Sequence, residues 1–476
     1  MKNKNIILKC LLSGSLILGL SSCSSSFLED VESREKVDAV DAGTVYDPVM
    51  FVNGTYGMLT DWDYAFSWLG VTEIISDNAD KGSSATDNGS DKLILDNLEH
   101  TSATGSISAM WTRFYKTIGR ANESIKYTEN FGLTDQAYKN RLIGEAKFLR
   151  ALHYFWLVRM FGDVPIQTLE DSQSWFVRKP KAEVYAYIEQ DLLDAITLLP
   201  KKSEYASADL GRATQGAAQG LLAKVYLYEQ KWQQAYDMAG NVMTSGQYGL
   251  ESNYANIWRL SGENGIESLF EVQARGVEVA HGVNQYSETQ GARGTGGWGW
   301  GFNIPSQNLL DAFNAAGDSV RRDATIIFRG ETLYDGRLVP NTVENPMYNE
   351  KAYSSASLGA GDGDKNVRIL RYAEILLIRA EAAARIGADA ATPLNLVRNR
   401  VGLPSISNPT VQQIWNERRL ELAFEHDRWF DIVRTGQGKS AMSANGKNFV
   451  VGKHELFPIP NAQIIQTPTI GQNPNW

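Results

Sequence analysis

Residues 369–384 read ILRYAEILLIRAEAAA. Ile369, Ala373, Leu376, Leu377, Ala380, Ala383 and Ala384 fall on one face of a helix with 3.6 residues per turn, and Glu381 and Arg385, four apart on the outer side, reinforce it modestly. The same period recurs in both directions along the chain. Residues 217–243, AAQGLLAKVYLYEQKWQQAYDMAGNVM, divide into two helices joined near Glu229–Lys231. Small side chains at Ala218, Ala223, Ala235 and Ala239 let such a pair approach closely, and Trp232 and Tyr236 wedge the joint. That is the construction of a tetratricopeptide hairpin, although the full repeat consensus is not met. Further helices are predicted over 108–130, 141–161 and 184–199, the second closed by the break Gly162-Asp163-Val164-Pro165. Thr410 to Gln413 is a capping box that opens another helix after Pro409.

Between these helices lie residues 76–106 and 244–368, rich in Gly, Asn, Asp and Ser, with little periodicity beyond Gln307–Phe313 and a possible strand at Leu269–Gln273. Insertions this long in a compact protein are usually functional surface loops. The expected fold class is mainly α: tetratricopeptide-like helical hairpins carrying long irregular loops with a few short strands. No composition break divides residues 42–476, so a single domain is expected there.

The N-terminus is of another kind. MKNKNIILKCLLSGSLILGLSSC begins with Lys2 and Lys4 and carries a short apolar run over 6–20, which fits the core of a secretory signal and is too short and interrupted to cross a bilayer. An ordinary signal peptide with an incidental cysteine is one reading. Leu20-Ser-Ser-Cys23, small residues before a cysteine after such a run, instead resembles a bacterial lipobox. Residues 1–22 are then a lipoprotein signal peptide. Cys23 is the lipid acceptor, and residues 23–41 are the lipidated N-terminus and its polar tether, an anchor that buries none of the fold in the membrane.

Composition removes several function classes. Cys10 and Cys23 are the only cysteines, so the mature body has no disulfide, thiol nucleophile or thiolate metal site. A net charge of −9 without a Lys/Arg block argues against nucleic acid as a partner. His100, His153, His281, His426 and His454 show no shared-metal spacing, and neither HExxH nor GxSxG occurs. Gly294-Thr-Gly296-Gly-Trp-Gly299 matches GxGxxG formally, but Asn303-Ile-Pro305 follows where a dinucleotide site requires a helix. Gly436-Gln-Gly438-Lys-Ser440 lacks the first P-loop glycine, with Val433 in its place. Asp362-Gly-Asp364-Lys-Asn366 begins like a calcium loop, but Val367 and Ala373 stand where glycine and glutamate are needed. No cofactor and no metal site is therefore expected. A glycosidase needs two carboxylates about 5–9.5 Å apart, and among 55 acidic residues nothing singles out a pair.

Two stretches point to a family: FLRALHYFWLVRMFGDVPI at 148–166 and ERRLELAFEHDRWFDIVRTG at 417–436, with HELFPIPNAQIIQTPTIGQNPNW closing the chain. Together with the lipobox and LRYAEILLIRAEA at 370–382, they resemble the SusD/RagB family of Bacteroidetes outer-membrane lipoproteins. The likeness runs from Cys23 to Trp476, and Trp476 stands where another aromatic such as Tyr is more usual. The resemblance implies about four tetratricopeptide-like helix pairs backing an irregular ligand-binding face. It also implies a non-catalytic role at the cell surface: capture of glycan, in some members peptide, as a lid on a SusC-like TonB-dependent transporter. The charges of 417–434, from Glu417 and Arg418 to Asp431 and Arg434, alternate around what reads as one helix and are expected to be a scaffold of ion pairs. The alternatives are a peptide-capturing member and a glycoside hydrolase using an unidentified carboxylate pair.

GARGTGGWGWGFN, at 291–303, sets Trp298 and Trp300 among six glycines. An exposed indole covers the C–H face of a sugar while nearby polar groups pair its hydroxyls, and glycines beside it are expected to clear space above the ring. Alternation along an extended segment points Trp298 and Trp300 to opposite sides, so one of them is expected to stack on ligand. A second patch, Asp61-Trp-Asp-Tyr-Ala-Phe-Ser-Trp68, supplies Trp62, Tyr64 and Trp68, with Trp68 inclined to the core by the apolar residues after it. The resemblance places the glycan face in these two regions. Asp80, Lys81, Arg293 and Asn303 complete the expected ligand-binding set.

Overall fold

The computed structural model describes residues 46–84, 86–87, 89–274, 283–354 and 365–476. Cys23, with the signal and tether around it, lies outside the described residues, as do His281 and the Asp362–Asp364 part of the calcium-like turn. The helices that build the scaffold are α1 (Gly105–Asn130), α2 (Gln136–Phe161), α3 (Lys181–Leu198), α4 (Gln215–Tyr228), α5 (Trp232–Thr244), α6 (Tyr372–Ile386), α7 (Ala391–Arg400), α8 (Val411–Glu421) and α9 (Arg428–Arg434). From α1 to α7 each helix packs on the next, and α8 packs back on α6. This is the helical-hairpin architecture expected from the apolar period.

Local chemistry sets the boundaries. Asp135 caps α2 by accepting from the Tyr138 N–H, and Gly162, at φ +71°, ends it in a conformation that glycine enters without strain. The break between α4 and α5 turns on Gln230, at φ +60°. Thr410 and Gln413 form the expected capping box at α8. From Leu142 onward α2 buries nearly every face, including Phe148, Phe155, Trp156 and Phe161, so it is a helix of the interior rather than of the surface.

Two expectations need correction. The stripe 369–384 is not helical from its first residue. Val367–Arg371 is strand β6, and α6 begins at Tyr372. β6 pairs antiparallel with β2 (Ser268–Val272), where Phe270 stands opposite Leu370, and that ladder satisfies backbone groups that a longer helix would otherwise have taken. Secondly, the charged stretch 417–434 is two helices. Phe424 at φ +63° and His426 at φ +69° turn the chain between α8 and α9, and the buried Glu73 carboxylate accepts the His426 N–H in the turn.

The ion-pair scaffold is present and sealed. Arg371 reaches Glu267 at 2.7 Å, Glu421 at 2.5 Å and Glu425 at 2.6 Å, while Arg321 reaches Glu421 at 2.9 Å and Glu417 at 2.6 Å. Arg400 adds a third guanidinium to Glu421, which is wholly buried. Burial alone would raise the Glu421 carboxyl. Arg400, Arg371 and Arg321 outweigh it and hold the group well below the usual carboxylate range.

Two further short ladders matter for the site. β1 (Ala79–Gly82) pairs antiparallel with β3 (Phe302–Pro305), and β4 (Ile326–Phe328) with β5 (Met347–Asn349). The glycine-rich loop enters β3 from the helix Val283–Gln290 and is thereby tied to the segment that follows Trp62 to Trp68.

Candidate functional site

Asp61 accepts the Asp63 N–H and starts a single helical turn, Trp62–Ala65, after which Phe66 leaves helical geometry at φ −137°. The turn holds Trp62 and Phe66 side by side, ring centroids 5.3 Å apart. Trp300 closes on both: 5.5 Å from Trp62 at an interplanar angle of 57°, and 6.2 Å from Phe66, edge-on at 84°. Phe302 meets Phe66 edge-on, 4.9 Å away at 74°. Trp62, Phe66 and Trp300 each keep part of their surface in solvent, whereas Phe302 is buried. The result is a tilted aromatic shelf built from two segments more than two hundred residues apart in the chain.

The shelf is edged by fixed charges. Arg113, from α1, bridges Asp61 at 2.9 Å and Asp63 at 2.7 Å. The Lys92 ammonium sits 3.9 Å from the Phe66 ring centroid and is held by Asp91 at 3.0 Å and by Ser106 Oγ at 2.7 Å. Burial lowers the Lys92 pKa against the pull of Asp91. Glu288, on the helix before the glycine-rich loop, accepts the Trp300 backbone N–H through its own carbonyl at 2.9 Å, and its side-chain Oε2 is buried without a hydrogen-bond partner. Burial raises its carboxyl more than the neighbouring Trp300 side chain lowers it.

The glycines do something other than open space above a ring. The loop doubles back on its own helix: Trp298 and Gly299 donate to Ala292 O, Trp300 to Glu288 O and Gly301 to Gly291 O. A side chain on Gly299 would strike Glu288 O and the Gly291 backbone, and one on Gly291 would strike the Trp298 indole. Glycine is needed there for close approach of backbone to backbone, and the approach sends the two tryptophans apart. Trp300 joins the shelf. Trp298 packs on the cluster of Ala292, Ile304, Val343 and Tyr353, edge-on to Tyr353 at 5.4 Å.

The structure therefore gathers Trp62 and Trp300 and disperses the rest of the expected set. Tyr64 is core, its hydroxyl 3.0 Å from His153 Nε2. Trp68 is core as well, 5.0 Å from Trp156, because the turn at Phe66 rotates it inward. Lys81 is buried and spent on Ser84 O and Asp87. Asn303 is buried at φ +56°, donating to Gln290 Oε1 at 2.8 Å. Asp80 lies on β1, its pKa raised by burial and by neighbouring Asp96. Arg293 stays half-exposed but is engaged by Glu344 at 3.2 Å and Ser83 at 3.1 Å. Phe66, Lys92, Arg113 and Glu288 were missed. Phe66 had a signal, four residues after Trp62 and so on the same face of one turn. The other three had none, since each reaches the shelf from elsewhere in the chain. Among the described residues no group of His, Cys, Asp or Glu is arranged to hold a metal ion, and no helix is long and apolar enough to cross a membrane.

Comparison with known proteins bears on this arrangement. Residues 339–476 match the SusD family, and residues 29–227 match a family described as starch-binding associating with outer membrane. A relative, SusD-like protein P2 of Formosa agariphila, is 30% identical, with 90% of this chain and 92% of the relative covered. Among solved structures, a laminarin-binding SusD-like protein superposes with a TM-score of 0.78 at 29% identity, covering 90% of this chain and 99% of that one. Surface glycan-binding protein A from Bacteroides uniformis does so with 0.76 at 26% identity, covering 90% and 98%.

Proposed function

The chain belongs to the SusD family, and we propose that it is a non-catalytic, surface-exposed lipoprotein, anchored through Cys23, that captures oligo- or polysaccharide and delivers it to a SusC-like TonB-dependent transporter in the outer membrane. The observation that carries the reading is the partly exposed indole pair of Trp62 and Trp300, with ring centroids 5.5 Å apart and inclined at 57°. Two such rings offer successive stacking faces to a saccharide chain, each contact worth about 1 kcal/mol beyond buried area. Asp61 and Asp63 are held beside them by Arg113, Glu288 keeps a carboxylate oxygen without a partner, and carboxylate oxygens accept hydrogen bonds from sugar hydroxyls. Relatives named for laminarin and for glycan binding support the same ligand class. Three carboxylates beside the shelf are already engaged, Asp61 and Asp63 by one guanidinium and Asp91 by Lys92 and Ser106, which favours binding over hydrolysis at those groups. The test is affinity electrophoresis of the purified protein in gels containing laminarin, soluble starch and other polysaccharides, with reducing-sugar release assayed in parallel. Retardation of the parent, reduced in Trp62→Ala and Trp300→Ala and unaccompanied by sugar release, is expected. A polysaccharide that retards parent and variants equally would overturn this placement, and sugar release would overturn the non-catalytic reading.

A further inference from the structure

On the other side of the glycine-rich loop from Trp300 lies a second set of rings. Trp298 touches Tyr353, and Tyr353 touches Tyr334, in centroid steps of 5.4 and 5.6 Å. Tyr334 stands on a tight turn in which Leu333 is buried as the anchor, Thr332 bridges to Leu338, and the Arg337 N–H is accepted by Asp335. Its ring is 49% exposed, yet it is held rather than left to swing. The Arg259 guanidinium lies 3.5 Å from its centroid, covering one face, and is itself pinned to Glu350 at 2.9 Å. Tyr353 abuts it at 74°, and the Tyr353 hydroxyl donates to Asp335, on the same turn, at 2.6 Å. A solvated surface tyrosine has no need of such bracing. An aromatic ring with one face backed by a cation and half its surface in water has already lost the rotamer freedom that ligand binding would otherwise remove.

The turn is not independent of the shelf. Val343 bridges to Gly294, the Glu344 N–H donates to Arg293 O, and Thr342 Oγ1 donates to Thr295 O, so the segment carrying Tyr334 is tied to the loop carrying Trp300. We propose that Tyr334 is a second saccharide platform, which stacks on a sugar ring of the same glycan at a distance from the Trp62–Trp300 shelf. The inference rests on the glycan-binding reading of that shelf. Two linked platforms raise the affinity for a chain long enough to reach both and leave a chain confined to the shelf unaffected.

The experiment compares Tyr334→Ala, Tyr334→Phe and Trp300→Ala with the parent, using laminarin and soluble starch as polymers and laminarihexaose and maltohexaose as short probes. Affinity electrophoresis reads the polymers and titration calorimetry the hexasaccharides. Tyr334→Ala is expected to weaken polymer binding about fivefold, the equivalent of one aromatic contact, with hexasaccharide binding changed less than twofold. Tyr334→Phe is expected to keep both, and Trp300→Ala to weaken both about fivefold. Polymer binding weakened in Trp300→Ala and untouched in Tyr334→Ala overturns the second platform and leaves the shelf standing. Equal loss for polymer and hexasaccharide in Tyr334→Ala also overturns it, since that is the pattern of a structural role. No retardation of the parent by any polysaccharide of the wider panel overturns the shelf and this inference together.

Discussion

The charged joint around Glu421 and the aromatic shelf around Trp300 draw on the same residue types, guanidinium, carboxylate and ring, and put them to opposite uses. At the joint everything is sealed. Glu421 and Arg321 are wholly buried and Arg371 nearly so, and each charge is met by at least two of opposite sign. Removing one partner from such a set leaves uncompensated charge out of water. At the shelf, Arg113 and Asp61 keep about a quarter of their side-chain surface in solvent, 28% and 26%, and the rings beside them are partly exposed. Exposed pairs of that kind stabilise a fold by little, because water screens them and competes for them. Burial, more than residue identity, separates structure from recognition in this molecule.

The sharpest way to break the contrast is Glu421→Ala, which removes one buried carboxylate partner from each of Arg321, Arg371 and Arg400. A loss of about 3–5 kcal/mol is expected, read as a lower Tm and denaturant midpoint, and an unchanged Tm would show that the joint is no keystone. Next is the double variant Trp62→Ala/Trp300→Ala. Glycan affinity should fall by about 2 kcal/mol, roughly thirtyfold, while the melting curve of the scaffold helices stays close to the parent's. A smaller effect is expected at Glu73, wholly buried against the turn between α8 and α9. Burial, against the hydrogen bond from His426, pushes its carboxyl up to about 8. Between the unfolded value of about 4.3 and that figure the folded state holds a proton that the unfolded chain has released, so stability declines as pH rises through this window. Glu73→Gln should flatten that decline, which Tm measured at pH 5 and pH 8 would register as a smaller difference than in the parent. Smallest is Arg113→Ala, which frees Asp61 and Asp63. Stability should change by no more than about 1 kcal/mol, with glycan affinity weakened a few-fold by titration.

Much of the scaffold could be read before any coordinates. The 3.6-residue period located α1 to α6 to within a few residues, because helix and amphipathic face arise from the same local geometry. It failed where a non-local partner intervened. Ile369 and Leu370 continue a helical stripe, yet β2 claims their backbone. Phe424 and His426 sit inside an apparently continuous charged helix, yet both adopt positive φ, with a buried carboxylate from another element waiting for the His426 N–H. The site was legible only in part. Trp62, Trp298 and Trp300 stood out as large rings in unusual company, but the sequence did not tell which of the last two would join a shelf; Trp68 already inclined to the core, whereas Tyr64 looked equivalent to Trp62 until the fold directed it inward. The glycines of 291–301 announced a special loop, but their purpose, backbone packed on backbone, depends on the helix before them.

From the order of its residues alone the chain settles its helices, their packing faces and its kinship, since these follow from short-range periodicity and from motifs contiguous in the chain. Which rings face water, which carboxylates flank them and which charges are entombed came from the assembled fold. Those properties depend on what each side chain loses or keeps of its solvent when distant segments, Trp62 and Trp300 above all, are brought together.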